Sequence, residues 1–203
     1  DHPSIDWRAR EDLSLLVDSG TSVAHCPSPF ARYGHAMADF GRYHRAGVNL
    51  GFGTDVTPHN LIEEMRLAII LARVMANNIK TTDAQMVFHA ATVGGAKSLL
   101  RDDLGRLEKG AKADLVMVDI TQPIMRPAHD PLKSLIYHGA DRAVKTVFID
   151  GKLAVDNGSV VHLDMSDAAG RLEIAQQRML KDVPNHDFLG REAKDITPLS
   201  LNL

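Results

Sequence analysis

Cysteine is nearly absent: Cys26 stands alone among 203 residues, so no disulfide can form within the chain and a reducing compartment is expected. No apolar run reaches the roughly 18 residues of a membrane span. The opening Asp1-His2-Pro3 has none of the features of a secretory leader. A cytoplasmic protein without a membrane partner is the expectation. Basic excess is missing too, with 23 Lys and Arg against 26 Asp and Glu and a formal charge of −3, which argues against a nucleic-acid backbone as the main partner. There is no glycine-rich phosphate loop, serine nucleophile elbow, Cys-x-x-Cys pair or internal repeat. An initiating Met is lacking as well, so the chain is expected to be either processed or a piece of something longer.

What is present suits a packed core. The 44% hydrophobic and 24% charged composition lies near the soluble globular average, which excludes disordered and collagen-like classes. Over residues 11–17, Leu13, Leu15, Leu16 and Val17 predict a short helix ended by Ser19-Gly20. TSVAHC, residues 21–26, reads as a strand stopped by Pro27 and Pro29. Met37, Phe40, Tyr43 and Ala46 recur at helical spacing before Gly47, and VNLGFGTD, residues 48–55, reads as a central parallel strand apolar on both faces. The 30 residues from His25 to Asp55 match one strand–helix–strand unit with a parallel return. Leu61, Met65, Ala68, Ile69 and Ala72 predict a helix over 61–76, and another is expected over 83–100 with Thr82 as its N-cap. Past residue 100, ADLVMVDI (113–120) and residues 143–163, with Asp150-Gly151 and Asn157-Gly158, predict strands and hairpin turns. A final helix over 166–181 takes Ser166 and Asp167 as its cap, and the tail from Pro184 shows no period.

In parallel α/β folds, functional side chains gather where strands end at their C-terminal edge. His25 ends one strand and Asp55 the next, so both fall on one rim. An isolated carboxylate at the mouth of a buried strand is costly unless it meets a cation, a metal or a local backbone donor. Asp55 therefore reads either as a metal ligand and proton acceptor or as a cap for the helix or turn that follows. His25 reads either as a rim ligand or as a hydrogen-bonded structural group, and Cys26 as a small buried hydrophobe. His59, Asn60, Glu63, Glu64 and Arg66 crowd the start of the next helix, where one glutamate complements the helix dipole and the other is free to face the rim.

The stretches VAHCPSPFARYG, AGVNLGFGTDVTPHNLIEEMRLA, AATVGGAKSLL, LGRLEKGAKADLVMVDI and KTVFIDGKLAVDNG, in this order, resemble the C-terminal half of an amidohydrolase-superfamily enzyme. The resemblance covers residues 13–160 and lies in the branch of cytosine, guanine and methylthioadenosine deaminases and triazine chlorohydrolases. It implies an α/β fold: the C-terminal part of a metal-dependent (β/α)8 TIM barrel, residues 1–103; part of a small β-sandwich, 104–164; and a C-terminal helix and tail, 165–203. It implies that Asp55 matches the aspartate after the eighth barrel strand, which binds the metal and shuttles the proton of the attacking water. His25 matches the histidine ending strand seven, and the loop bearing His59 and Asn60 faces substrate. The cofactor so implied is one divalent ion, zinc or alternatively iron. The family's His-x-His pair and its later metal-binding and catalytic histidines would all lie before Asp1, so little metal is expected on this chain alone.

The implied activity is hydrolytic replacement of an amine or other leaving group on a nitrogen heterocycle. Hydrolysis of a cyclic amide on the same scaffold and a non-catalytic fragment are the alternatives. Expected partners are the small heterocyclic substrate, the missing N-terminal half of the barrel and, for some relatives, a second copy of the chain. Half a barrel would leave strand edges and apolar helix faces uncovered. Two loops depart from the branch pattern: Ser28-Pro29-Phe30-Ala31-Arg32 where Ser-Asn is usual, and Val56-Thr57-Pro58-His59-Asn60 where small residues are usual.

Overall fold

Residues 10–201 are described by a computed structural model, in which the chain divides between Ser159 and Val160 into two compact units. The first unit begins with helix α1 (Arg10–Ser19) and strand β1 (Val23–His25). Strand β2 (Leu50–Phe52) runs parallel to β1 in the register Val23↔Leu50 and His25↔Phe52, and the Gly53 N–H extends the ladder to the His25 carbonyl at 3.1 Å. The parallel return expected from the spacing is present. Both strands are shorter than predicted, and no further described strand pairs with either.

Two helices lie in the crossover, α2 (Pro27–Arg32) and α3 (Phe40–Arg45). The first corrects the sequence reading, which took Pro27 and Pro29 only as a stop. Proline is tolerated in a first helical turn, where its missing N–H has no partner to lose, so the pair that ends β1 also starts α2. Phe40 and Tyr43 of α3 are fully buried and anchor the core with Val48, Leu50, Ile69 and Val87.

Helix α4 (Leu61–Ala76) buries Met65, Ala68, Ile69 and Ala72 as the periodicity predicts, together with Glu64, whereas Leu61 of the same predicted stripe is exposed in the first turn. Ile70, Val74 and Met75 on its other side are exposed. The single helix expected over 83–100 is instead α5 (Ala84–His89), a π-helical turn (Ala90–Gly94) and α6 (Gly95–Ser98). Its N-cap is Asp83, whose Oδ1 accepts the Met86 N–H at 2.9 Å; Thr82, the predicted cap, is fully buried. The helix widens where its backbone meets β2. A Cβ on Gly94 would stand 2.0 Å from the Leu50 carbonyl oxygen, so only glycine permits this approach. Asn49 secures it, its Nδ2 donating to the Gly94 carbonyl at 3.1 Å, to Ser98 Oγ at 3.1 Å and to Ser22 Oγ at 2.9 Å.

The β-rich stretch folds as expected into an antiparallel sheet of β3 (Leu115–Val118), β4 (Val144–Ile149) and β5 (Lys152–Asp156), with Asp150-Gly151 turning between β4 and β5. Helix α7 (Pro131–Ser134) sits in the β3–β4 connection, and the division between the units falls on a two-residue strand, β6 (Ser159–Val160). The second unit is mainly α8 (Met165–His186), followed by α9 (Ala193–Ile196). Asp164 caps α8, accepting the N–H groups of Ser166 and Asp167 at 2.9 and 3.0 Å, so the two residues expected to cap are the donors. The helix runs through Pro184, where the sequence had suggested irregular chain. No described helix is long and apolar enough to cross a membrane.

Candidate active site

The parallel pair β1–β2 brings its C-terminal ends to one rim, and both residues singled out there behave differently. His25 is 3% exposed, with its ring centroid 5.6 Å from that of Phe40 and 5.8 Å from that of Phe52. Burial in this aromatic setting lowers its pKa from 6.5 to about 3, against the pull of the nearby Glu64 carboxylate. The imidazole is therefore neutral at neutral pH.

Asp55 lies three residues past the end of β2, exposed, with a left-handed backbone at φ 57. Asp is among the few residues that tolerate this region. The capping alternative for Asp55 does not hold, because Asn60 caps α4, its Oδ1 accepting the Glu63 N–H at 3.2 Å. Among the described residues no donor bonds the Asp55 carboxylate. Its field reaches Cys26, whose thiol is pushed up first by burial and then by Asp55 and Glu64.

His59 is exposed, and its Nδ1 is 2.9 Å from Thr54 Oγ1, which joins the two ends of the loop around Asp55. Asn60 sits at the same loop's end with its amide oxygen committed to the cap. The glutamates divide as anticipated: Glu63 pairs with Arg66 at the helix surface, while Glu64 turns inward, 1% exposed. Glu64 Oε2 accepts the Ser28 N–H at 2.8 Å. Its pKa is raised by burial, a push opposed by the Ser28 amide and by the charge of Arg32.

The sequence assigned no site role to Arg32 and left open which of Glu63 and Glu64 faces the rim. A signal for Glu64 existed, since residues 64, 68 and 72 share one helical stripe and Ala68 and Ala72 are core residues. For Arg32 there was none. Its Nη2 donates to the Thr57 carbonyl at 3.0 Å across a separation of 25 residues.

A metal ion needs more than this rim offers. Among the described residues no three His, Cys, Asp or Glu side chains could hold one ion together. Zinc takes about three or four protein ligands. Asp55 suits one of those positions by chemistry and exposure, and the described residues do not complete the set.

Comparisons with known proteins bear on this geometry. The model of the Amidohydrolase family matches residues 2–154. A 5-methylthioadenosine/S-adenosylhomocysteine deaminase of Haloarcula marismortui is 36% identical over 159 residues, 75% of this chain and 36% of that protein. A 5'-deoxyadenosine deaminase of Methanosphaera stadtmanae is 30% identical over 177 residues, 85% of this chain and 41% of that one. Among solved structures, an adenosine deaminase of Xanthomonas campestris with bound zinc superposes with a TM-score of 0.79 at 32% identity, covering 84% of this chain and 40% of the other. Atrazine chlorohydrolase of Arthrobacter aurescens complexed with zinc gives 0.76 at 29% identity, with 85% and 39% covered. The chain thus spans about two fifths of the length of the proteins it matches.

Proposed function

Because this chain belongs to the amidohydrolase family, whose model matches residues 2–154, we propose that it forms the Asp55 side of a hydrolytic site that replaces an amine on a nitrogen heterocycle with hydroxyl. In this reading Asp55 takes the proton of the attacking water and returns it to the departing amine, the work of a positioned carboxylate acting as base and then acid. His25, neutral because it is buried, contributes an uncharged edge toward substrate, and His59 and Asn60 border the same opening.

The cofactor is one divalent ion, zinc before iron, with Asp55 as one ligand and the others supplied from outside the described residues. The missing half of a TIM barrel is accordingly the partner, the setting is cytoplasmic, and an adenine nucleoside is the favoured substrate class, given the names of the relatives. One observation carries the reading: at the rim formed by β1 and β2, Asp55 is exposed while Asn60 performs the capping that would otherwise explain it.

The test uses the natural full-length protein. Adenosine, 5'-deoxyadenosine, 5-methylthioadenosine, guanine and atrazine are offered beside cyclic amides, with ammonia, chloride and ring opening followed separately. Ammonia release from at least one aminated ring, lost in Asp55→Asn by about a thousandfold, is expected. Full activity in Asp55→Asn rejects the role of Asp55. Ring opening without ammonia assigns a cyclic amide instead, and inactivity on every compound with no bound metal leaves a non-catalytic protein.

A further inference from the structure

Two ties join the segment after β1 to the segment after β2, and neither uses a residue assigned to the reaction. At one end of α2, the Ser28 N–H is held at 2.8 Å by Glu64 Oε2, from the first turn of α4. At the other end, Arg32 Nη2 reaches the Thr57 carbonyl at 3.0 Å, two residues beyond Asp55. Helix α2 begins two residues after His25, and α4 leads directly out of the Asp55 loop. The two strand ends that make the rim are therefore strapped together above the sheet as well as through it.

The helix α4 does not need Glu64 for itself. Asn60 caps it, and Glu63 already places a negative charge in its first turn. Burying a carboxylate is costly unless its oxygens are bonded, yet Glu64 is as deeply buried as the apolar core around it. The partner it has found belongs to the other rim segment. We infer that Glu64 and Arg32 are positioning residues that hold the His25 and Asp55 segments as one body, so that groups on the two sides of a bound substrate keep a fixed separation. The inference rests on the proposed role of Asp55 for its kinetic consequence, but not for its mechanical one.

The experiment measures both in the natural full-length protein. Kinetics with adenosine compare the wild type with Glu64→Ala, Glu64→Gln, Arg32→Met and Arg32→Lys. Because small misplacements of reacting groups act on the chemical step, Glu64→Ala and Arg32→Met are expected to lower kcat by about 10- to 100-fold while KM changes less than about threefold. Glu64→Gln keeps an oxygen that can accept from Ser28 and Arg32→Lys keeps a donor, so each is expected to recover most of the loss. In parallel, amide hydrogen exchange is followed in peptides covering residues 26–34 and 54–60. Removal of either tie is expected to quicken exchange in both peptides.

Glu64→Gln as slow as Glu64→Ala, an unchanged kcat in both truncations, or faster exchange confined to the mutated segment overturns the inference. If Glu64→Ala does not fold, the exposed Arg32 carries the comparison alone. A wild type inactive on adenosine and every other substrate counts against the function proposed above, and the exchange data then decide the coupling by themselves.

Discussion

Acid should weaken this protein through His25, and the size of the effect can be worked out. The folded pKa is lowered by burial to about 3, whereas the unfolded side chain titrates near 6.5. Between those values the unfolded chain binds a proton that the folded one refuses, so the stability contributed by neutral His25 is complete above pH 6.5 and is lost as pH falls toward 3. At pH 5 the unfolded imidazole is almost wholly protonated and the folded one is not, which amounts to about 2 kcal/mol. That figure hardly depends on the folded value once it lies below about 4. Glu64 works in the opposite sense, because its raised pKa contributes stability at low pH that fades as pH rises through the folded value. Cys26, also raised, titrates far above this window. Comparison with His25→Gln, which keeps a polar group and removes the titration, isolates the histidine. Urea unfolding followed by circular dichroism at pH 7.5 and pH 5 should show the wild type losing about 2 kcal/mol more than the variant. Equal losses in the two proteins, within about 0.5 kcal/mol, would refute the argument.

Asp55→Asn keeps a residue that tolerates the left-handed backbone and removes only the proton acceptor, so activity should collapse with an unchanged melting temperature; Asp55→Ala should in addition destabilise by about 1 kcal/mol from its φ of 57°. Gly94→Ala drives a methyl into the Leu50 carbonyl and should cost about 2 to 3 kcal/mol in urea unfolding, an unshifted midpoint being the contrary result. Asn60→Ala removes the cap of α4 and should cost about 1 kcal/mol, with Asn60→Asp recovering nearly all of it. Alkylation of Cys26 by iodoacetamide at pH 8 should run slower than that of a free thiol, since burial raises its pKa; a rate equal to that of a short peptide contradicts the shift.

The strand–helix–strand unit was readable because its signals are local: two short apolar runs, Gly47 before the second, and a spacing that admits one crossover. Pro27 and Pro29 were misread because proline ends a strand and begins a helix by the same chemistry, and only the following geometry distinguishes the two. Thr82 and Asp83 are both good caps, and tertiary burial of Thr82 left the task to Asp83. The same competition separated Asp55 from Asn60, with the residue adjoining the helix taking the cap. The inward turn of Glu64 was legible as a stripe position, but its partner, an amide 36 residues earlier, was not. Long-range bonds such as Arg32 to Thr57 leave no periodic trace at all.

The glycine contact beneath β2 has a practical corollary for redesign. Because Gly94 and Asn49 fix the height of β2 by backbone packing, the strand that leads to Asp55 does not rest on the side chains of Val56 and Thr57, whereas His59 closes the loop and Asn60 caps α4. Substituting Val56 and Thr57 to admit a bulkier ring should therefore alter what the opening accepts without lowering the platform on which the carboxylate stands.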